Sequence, residues 1–193
     1  FIVADQLQEV GIDPGHILIE PEGKNTGPAI LAASLYTLKN DPDAVLLVAP
    51  SDHVILDWEE FHAAVNLGFF EVKSGNIVTF GVTPDRPETG YGYLELASIA
   101  NHNPVKLKRF VEKPDLNTAQ DMLESKNYLW NSAIFIFGAI DIVTAFEIYS
   151  QNLLISVKSA IKNGKPDLGF FRLDQETWEE WHAKEREYAV MEQ

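Results

Sequence analysis

Hydrophobic and polar positions along the chain switch between two periods, and the switching predicts the elements. "QLQEVGI" near the start reads as the end of a helix, and "HILIE" (16–20) as a short strand. "EGKNTGPAI" is a turn that becomes a helix over 28–40, with Ile30, Leu31, Ser34, Leu35 and Leu38 on one face at helical spacing. Thr26 is placed to cap that helix, and Pro28 suits its first turn. "AVLLVAP" (44–50) is a continuous apolar run, the pattern of a central parallel strand. The stretch 57–75 carries the next helix. It has acids in its first turn, Phe61, Val65 and Phe69 near one face, and Gly75 just past its end. "NIVTFGV" (76–82) is the next strand. This β-α-β-α-β order predicts an α/β fold with a doubly wound sheet and right-handed crossovers.

After Val82 the pattern changes. "TPDRPETGYGYLEL" (83–96) is a loop rich in Pro and Gly that leads into a strand. "VKLKRFVEKP" (105–114) is another strand, and "NTAQDMLESKN" (117–127) is a helix capped by Asn117 or Thr118. "YLWNSAIFIFG" (128–138) is an aromatic-rich strand. From Ala139 onward the chain reads as helical, with a break at "NGKPDLGFF" (163–171). There is no internal repeat and no linker that divides the chain.

Composition narrows the picture. With 193 residues, 46% of them apolar, the chain has enough material for one folded domain. No apolar run is long enough to span a bilayer, and the start has acids where a signal peptide needs a basic region. The chain lacks an initial Met and begins in mid-pattern, as a stretch of something longer would. It contains no cysteine, which excludes disulfide scaffolds, thiolate zinc sites and Cys nucleophiles and fits a cytoplasmic protein. A net charge of −14 argues against nucleic-acid backbones and anionic membranes as partners. The acidic excess is heaviest in "LDQETWEEWHAKEREYAVMEQ" (173–193).

Five places carry candidate chemistry. Asp52 follows the apolar strand through a Pro-Ser turn, at the rim where open α/β sheets bind ligands. It is either a helix N-cap or a ligand for a hard cation; magnesium needs only one or two carboxylates beside substrate phosphates. Its neighbour His53 reads as structural. Lys24, Asn25 and Thr26 form either a polar turn or an anion- and base-binding segment at a helix N-terminus. Gly90 and Gly92 allow close backbone approach in what is otherwise a flexible hairpin, where Tyr91 and Tyr93 either pack or cover a sugar. Glu112 and Lys113 are either a solvent ion pair of little energetic weight, or an acceptor for sugar hydroxyls beside a cation for a phosphate. Asn131, between Trp130 and an apolar run, is either structural glue or a ligand contact.

The order of these pieces is more informative than any one of them. "EPEGKNTGPAI", "APSDHVI", "FGVTPDRPETGYGYLE", "FVEKPD", "WNSAIFIF" and "YAVMEQ" run in a succession that resembles the mannose-1-phosphate guanylyltransferases and the wider sugar-nucleotide pyrophosphorylases. The resemblance covers nearly the whole chain. It implies a Rossmann-like nucleotidyltransferase fold (GT-A-like), with a mixed, mostly parallel sheet flanked by helices and an inserted sugar-binding layer. In that reading 1–193 is part of one nucleotidyltransferase domain, with a nucleotide- and metal-binding half (1–82) and a sugar-binding half (83–193).

The resemblance also implies roles. Asp52 matches a catalytic, metal-binding aspartate that holds Mg2+ or Mn2+. Lys24, Asn25 and Thr26 match the segment near guanine and ribose. Gly92 matches a backbone contact to the sugar, Glu112 the carboxylate on its hydroxyls, Lys113 a catalytic lysine near its phosphate, and Asn131 a further sugar contact. The implied substrates are GTP and mannose 1-phosphate, and the product is GDP-mannose, for polysaccharide biosynthesis. A homodimer is the implied assembly.

The family usually has Ala where Gly27 stands, and Gly-Met where Ala133 and Ile134 stand. Its Gly-rich loop with a catalytic Arg and Lys, and a second metal-binding Asp in a Trp-Ser-Asp segment, are not in these 193 residues. Two other readings stay open: a non-catalytic module that binds a sugar nucleotide, and a nucleotidyltransferase for a different hexose 1-phosphate or base.

Overall fold

The computed structural model describes residues 2–99 and 103–179. Its elements are α1 (Ile2–Glu9), β1 (Ile17–Ile19), α2 (Thr26–Thr37), β2 (Val45–Val48), α3 (Trp58–Val72), β3 (Val78–Val82), β4 (Gly92–Leu96), β5 (Leu107–Glu112), α4 (Leu116–Ser125), β6 (Tyr128–Gly138), α5 (Ala139–Tyr149), α6 (Gln151–Asn163), β7 (Lys165–Asp167), β8 (Phe170–Arg172) and α7 (Gln175–Glu179). The "NGKPDLGFF" break is therefore a short hairpin, β7–β8, and β1 joins it as a third strand. The "YAVMEQ" motif and the end of the acidic segment, 180–193, lie outside the described residues.

The class is mixed α/β with sheets flanked by helices. The expectation of a mostly parallel sheet is corrected: among the described residues β1–β8 is the parallel ladder, and every pairing of the five-stranded sheet is antiparallel. The physical reason lies in β6. Phe135 and Ile136 each pair with β2 on one edge and with β3 on the other. The β2-α3-β3 crossover does bring its two strands round in the same direction, but β6 is slotted between them and runs against both. At its other end Trp130 pairs with Val82 of β3 and Tyr93 of β4. One long strand thus joins β2, β3 and the β4–β5 hairpin.

Alternation along the strands assigns the faces. Phe135 and Phe137 of β6, with Leu46 and Val48 of β2, pack against Leu31 and Ala32 of α2, Ile142, Val143 and Phe146 of α5 and Leu153, Leu154 and Val157 of α6. Ile136, Val78 and Phe80 face the other way, close against Gly68 of α3. Tyr93, Trp130 and Val111 share that second face with Ala119 and Met122 of α4. Among the described residues the helical layer on the first face lies over the β2 end of β6.

Three local expectations change. Thr26 is the first residue of α2 rather than its cap; the cap position is Asn25, at φ 71°, with no side-chain cap bond. Asp115 caps α4, accepting from the Thr118 N–H at 2.9 Å, rather than Asn117 or Thr118. Phe69 of α3 is exposed, and Leu47 on β2 is 46% exposed, so β2 is not buried on both faces.

Candidate active site

The site starts from strand register. Gly92 of β4 pairs with Glu112 of β5. On its other side Tyr93 pairs with Trp130, so one step along the ladder Gly92 lies beside Asn131. Asn131 in turn pairs with Gly81 of β3. Glu112, Gly92, Asn131 and Gly81 therefore form one row across four strands. Residues paired across a sheet project to the same face, so the Glu112 and Asn131 side chains stand on one face about 10 Å apart, two strand spacings. It is the face of Phe135 and Phe137, past the point where α2, α5 and α6 cover it.

Gly92 makes room for its neighbours' side chains. A Cβ there would fall 2.5 Å from the Phe110 ring and 2.9 Å from Glu112 Oε2. Lys113 follows at φ 44°, its backbone N–H donating to the Tyr91 carbonyl at 3.1 Å. Its Nζ lies 3.0 Å from Glu112 Oε1. Carboxylate and ammonium thus leave the end of β5 as a pair, half-exposed, with backbone geometry that fixes where they start. Tyr93 is fully buried and donates its hydroxyl to the Glu88 carbonyl at 2.8 Å; Tyr91 packs edge-on against Trp130 at 5.3 Å. Both tyrosines belong to the face away from the row.

Asn131 sits at a bulge. Between the Gly81 and Thr79 pairings β3 advances two residues while β6 advances four, from Asn131 to Phe135. The extra backbone needs partners for its amides. Asn131 Oδ1 accepts from the Ala133 N–H at 3.1 Å, and Ser132 Oγ accepts from the Ile134 N–H at 3.2 Å. Ser132 also donates to the Phe80 carbonyl at 2.7 Å. Ala133 takes φ 56°, in the left-handed region that favours glycine.

Asp52 lies in the turn after β2, exposed, as is His53. The N-cap of α3 is Asp57, which accepts from the Glu60 N–H at 2.9 Å, so the capping reading of Asp52 falls away. β2 ends at Val48 opposite Phe135, and β4 begins beside Asn131 on the same edge of β6. β2 thus stops short of the row along that edge, and the Asp52 turn follows it in sequence. Among the described residues no group of three or more His, Asp or Glu forms a ready-made metal cage.

Lys24 to Thr26 belong to a different wall. Lys24 Nζ donates to the Trp178 carbonyl at 2.6 Å, and Trp178 Nε1 donates to the Glu22 carbonyl at 2.9 Å. This reciprocal tie holds the loop before α2 against α7, within the helical layer on the same side of the sheet as Asn131. Register brings Gly92, Glu112, Lys113 and Asn131 together. It does not bring Lys24, Asn25 or Thr26 into contact with them.

Three residues with a part in this region were not singled out from the sequence. Thr79 donates to Asn131 Oδ1 at 3.2 Å; nothing in its strand marks it. Trp178 sits in the acidic segment, where its 2% exposure is unexpected. Glu20 ends the "HILIE" stretch with Oε1 buried and, among the described residues, without a hydrogen-bond partner, and burial raises its pKa from the ordinary 4.5.

Comparisons with known proteins give the family. The family model described as Nucleotidyl transferase matches residues 2–181. The xanthan biosynthesis protein XanB of Xanthomonas campestris pv. campestris (strain B100) is 43% identical over 192 residues. The mannose-1-phosphate guanylyltransferase of Escherichia coli (strain K12) is 38% identical over 198 residues. Each of these matches covers 100% of this chain and 41% of the relative, so the chain spans about two-fifths of the length of the curated relatives it matches. Among solved structures, the mannose-6-phosphate isomerase of Helicobacter pylori superposes with a TM-score of 0.88 at 26% identity, covering 100% of this chain and 75% of that one. The family match begins with α1 and runs past the end of α7, through every strand that builds the row: the chain belongs to the nucleotidyl transferase family.

Proposed function

We propose that the whole protein transfers GMP from GTP to mannose 1-phosphate, giving GDP-mannose and pyrophosphate. A phosphate oxygen of the sugar phosphate attacks the α-phosphorus in line, and the bond to the β-phosphate breaks. The nucleophile is already an anion, so no Ser, Cys or His of the chain has to be activated. What the chain supplies is position and charge. The reading rests above all on the row Glu112–Gly92–Asn131, whose two polar ends flank a residue without a side chain. There Glu112 accepts from sugar hydroxyls, Gly92 lets the ring come close to backbone, and Asn131 donates from its amide. Lys113 screens the repulsion between the sugar phosphate and the triphosphate. Lys24, Asn25 and Thr26 take guanine and ribose, so that 1–82 serves the nucleotide and 83–193 the sugar.

Asp52 fits a divalent ion of the kind nucleotidyltransferases commonly use: one exposed carboxylate at a strand end is what magnesium needs when phosphates complete its shell. Bound there, Mg2+ or Mn2+ would neutralise triphosphate charge and hold the reacting phosphates in line. The same reading carries a homodimer in the cytoplasm; among the described residues no helix is long and apolar enough to cross a membrane.

The test is turnover of the full-length gene product with GTP or UTP, each paired with mannose 1-phosphate or glucose 1-phosphate. GTP with mannose 1-phosphate is expected to give the highest kcat/KM, and another winning pair overturns the assignment. Asp52→Asn is expected to lower kcat by on the order of a hundredfold or more, the scale of one deleted electrostatic group. A near-normal rate in that variant refutes the role given to Asp52.

A further inference from the structure

The bulge in β6 raises a question about Asn131. Its carbonyl oxygen and its amide nitrogen are nearly the same size, and in an exposed asparagine they exchange places easily. Here they cannot. The Ala133 N–H can only donate, so the atom 3.1 Å from it is the oxygen. That oxygen has a second donor, the Thr79 hydroxyl, at 3.2 Å. The Ile134 carbonyl, at 3.4 Å, is a second and longer acceptor for that one proton, so the shorter bond to Asn131 takes most of it. Thr79 and Gly81 project to the same face of β3, and Gly81 pairs with Asn131, so the approach is along the surface of the sheet. Both acceptor positions of Oδ1 are then filled. Among the described residues Nδ2 has no hydrogen-bond partner, and its two N–H groups remain for a ligand on the face that Asn131 shares with Glu112.

We propose that Thr79 is a positioning residue: with the Ala133 N–H it fills the carbonyl oxygen of Asn131, and so holds the Asn131 amide with its donors turned to the sugar. This rests on the assignment of Asn131 as a sugar contact. Thr79 itself touches no substrate. Its effect is to remove the rotamers in which Asn131 would present an acceptor, or swing away from the row, before the sugar phosphate arrives.

Thr79→Val deletes the hydroxyl and keeps a β-branched side chain suited to a strand. The expected result is a KM for mannose 1-phosphate raised about five-fold, in the range of one lost neutral hydrogen bond, with the KM for GTP unchanged. Thr79→Ser keeps the hydroxyl and is expected to restore the wild-type value. In an Asn131→Ala background Thr79→Val is expected to add nothing, because the group it orients is gone. If Thr79→Val does not fold, Thr79→Ala read against Thr79→Ser makes the same comparison. A large effect of Asn131→Ala with none from Thr79→Val overturns the role of Thr79 and leaves Asn131 as a contact. No effect of Asn131→Ala removes the contact itself and Thr79's role with it. Equal shifts in both KM values, or additive effects in the double variant, mark Thr79 as a structural residue and overturn the proposal.

Discussion

Ala133 adopts a backbone conformation that costs an L-residue about 1–2 kcal/mol, and glycine avoids that cost. The family usually has glycine here, and the structure supplies a reason, the positive φ at the bulge. Ala133→Gly relieves the strain but frees the unfolded chain, which returns up to about 1 kcal/mol. A net gain of about 0.5–1 kcal/mol in urea denaturation is expected, and a loss of stability would show that the methyl packs to better effect than its strain costs. The ion pair of Glu112 and Lys113 was legible in the sequence because the two residues are adjacent. A contact that spans elements was not. The bond from Thr79 to Asn131 joins positions 52 apart and depends on a register shift that no local pattern encodes. Asp52 shows the converse: a capping role that local spacing allowed is taken by Asp57, five residues on.

At the scale of elements, the β4–β5 hairpin carries a buried charge. Glu95 of β4 accepts from Lys108 Nζ and Arg109 Nε of β5, each at 2.6 Å. These two bonds, Lys108's foremost, hold its carboxyl down to about 2 from an ordinary 4.5. A depressed carboxyl binds fewer protons in the folded state than in the unfolded one. Its contribution is therefore complete above pH 4.5 and is lost as pH falls toward 2. In denaturation between those limits, Glu95→Gln should lose stability with falling pH less steeply than wild type; parallel curves would refute the linkage. Elements themselves were largely legible, because hydrophobic period separates helix from strand. Strand direction was not. The period of β6 reveals a strand, but its place between β2 and β3 follows only from pairing partners 48 to 93 positions away. The apolar run of β2 suggested a strand covered on both sides, yet Leu47 is 46% exposed.

Across the whole molecule, the tie between Trp178 and the loop before α2 joins parts of the chain 154 and 156 positions apart. Trp178→Phe keeps most of the buried ring and removes the N–H that meets the Glu22 carbonyl. A loss of about 1–2 kcal/mol in global stability is expected, since the carbonyl is left partly unsatisfied. Faster amide exchange confined to residues 20–26 and α7 would locate the loss, and unchanged exchange there would refute the tie. Fold class was readable at this scale because strand and helix alternate, and family because motif order is kept; the coupling of distant segments was readable in neither. The position of β6 also bears on how the chain reaches its native state. β2 and β3 leave the ribosome long before the strand that must lie between them, and among the described residues neither has another pairing partner. With partners this far apart in sequence, β2 and β3 can be joined only after translation has passed Gly138.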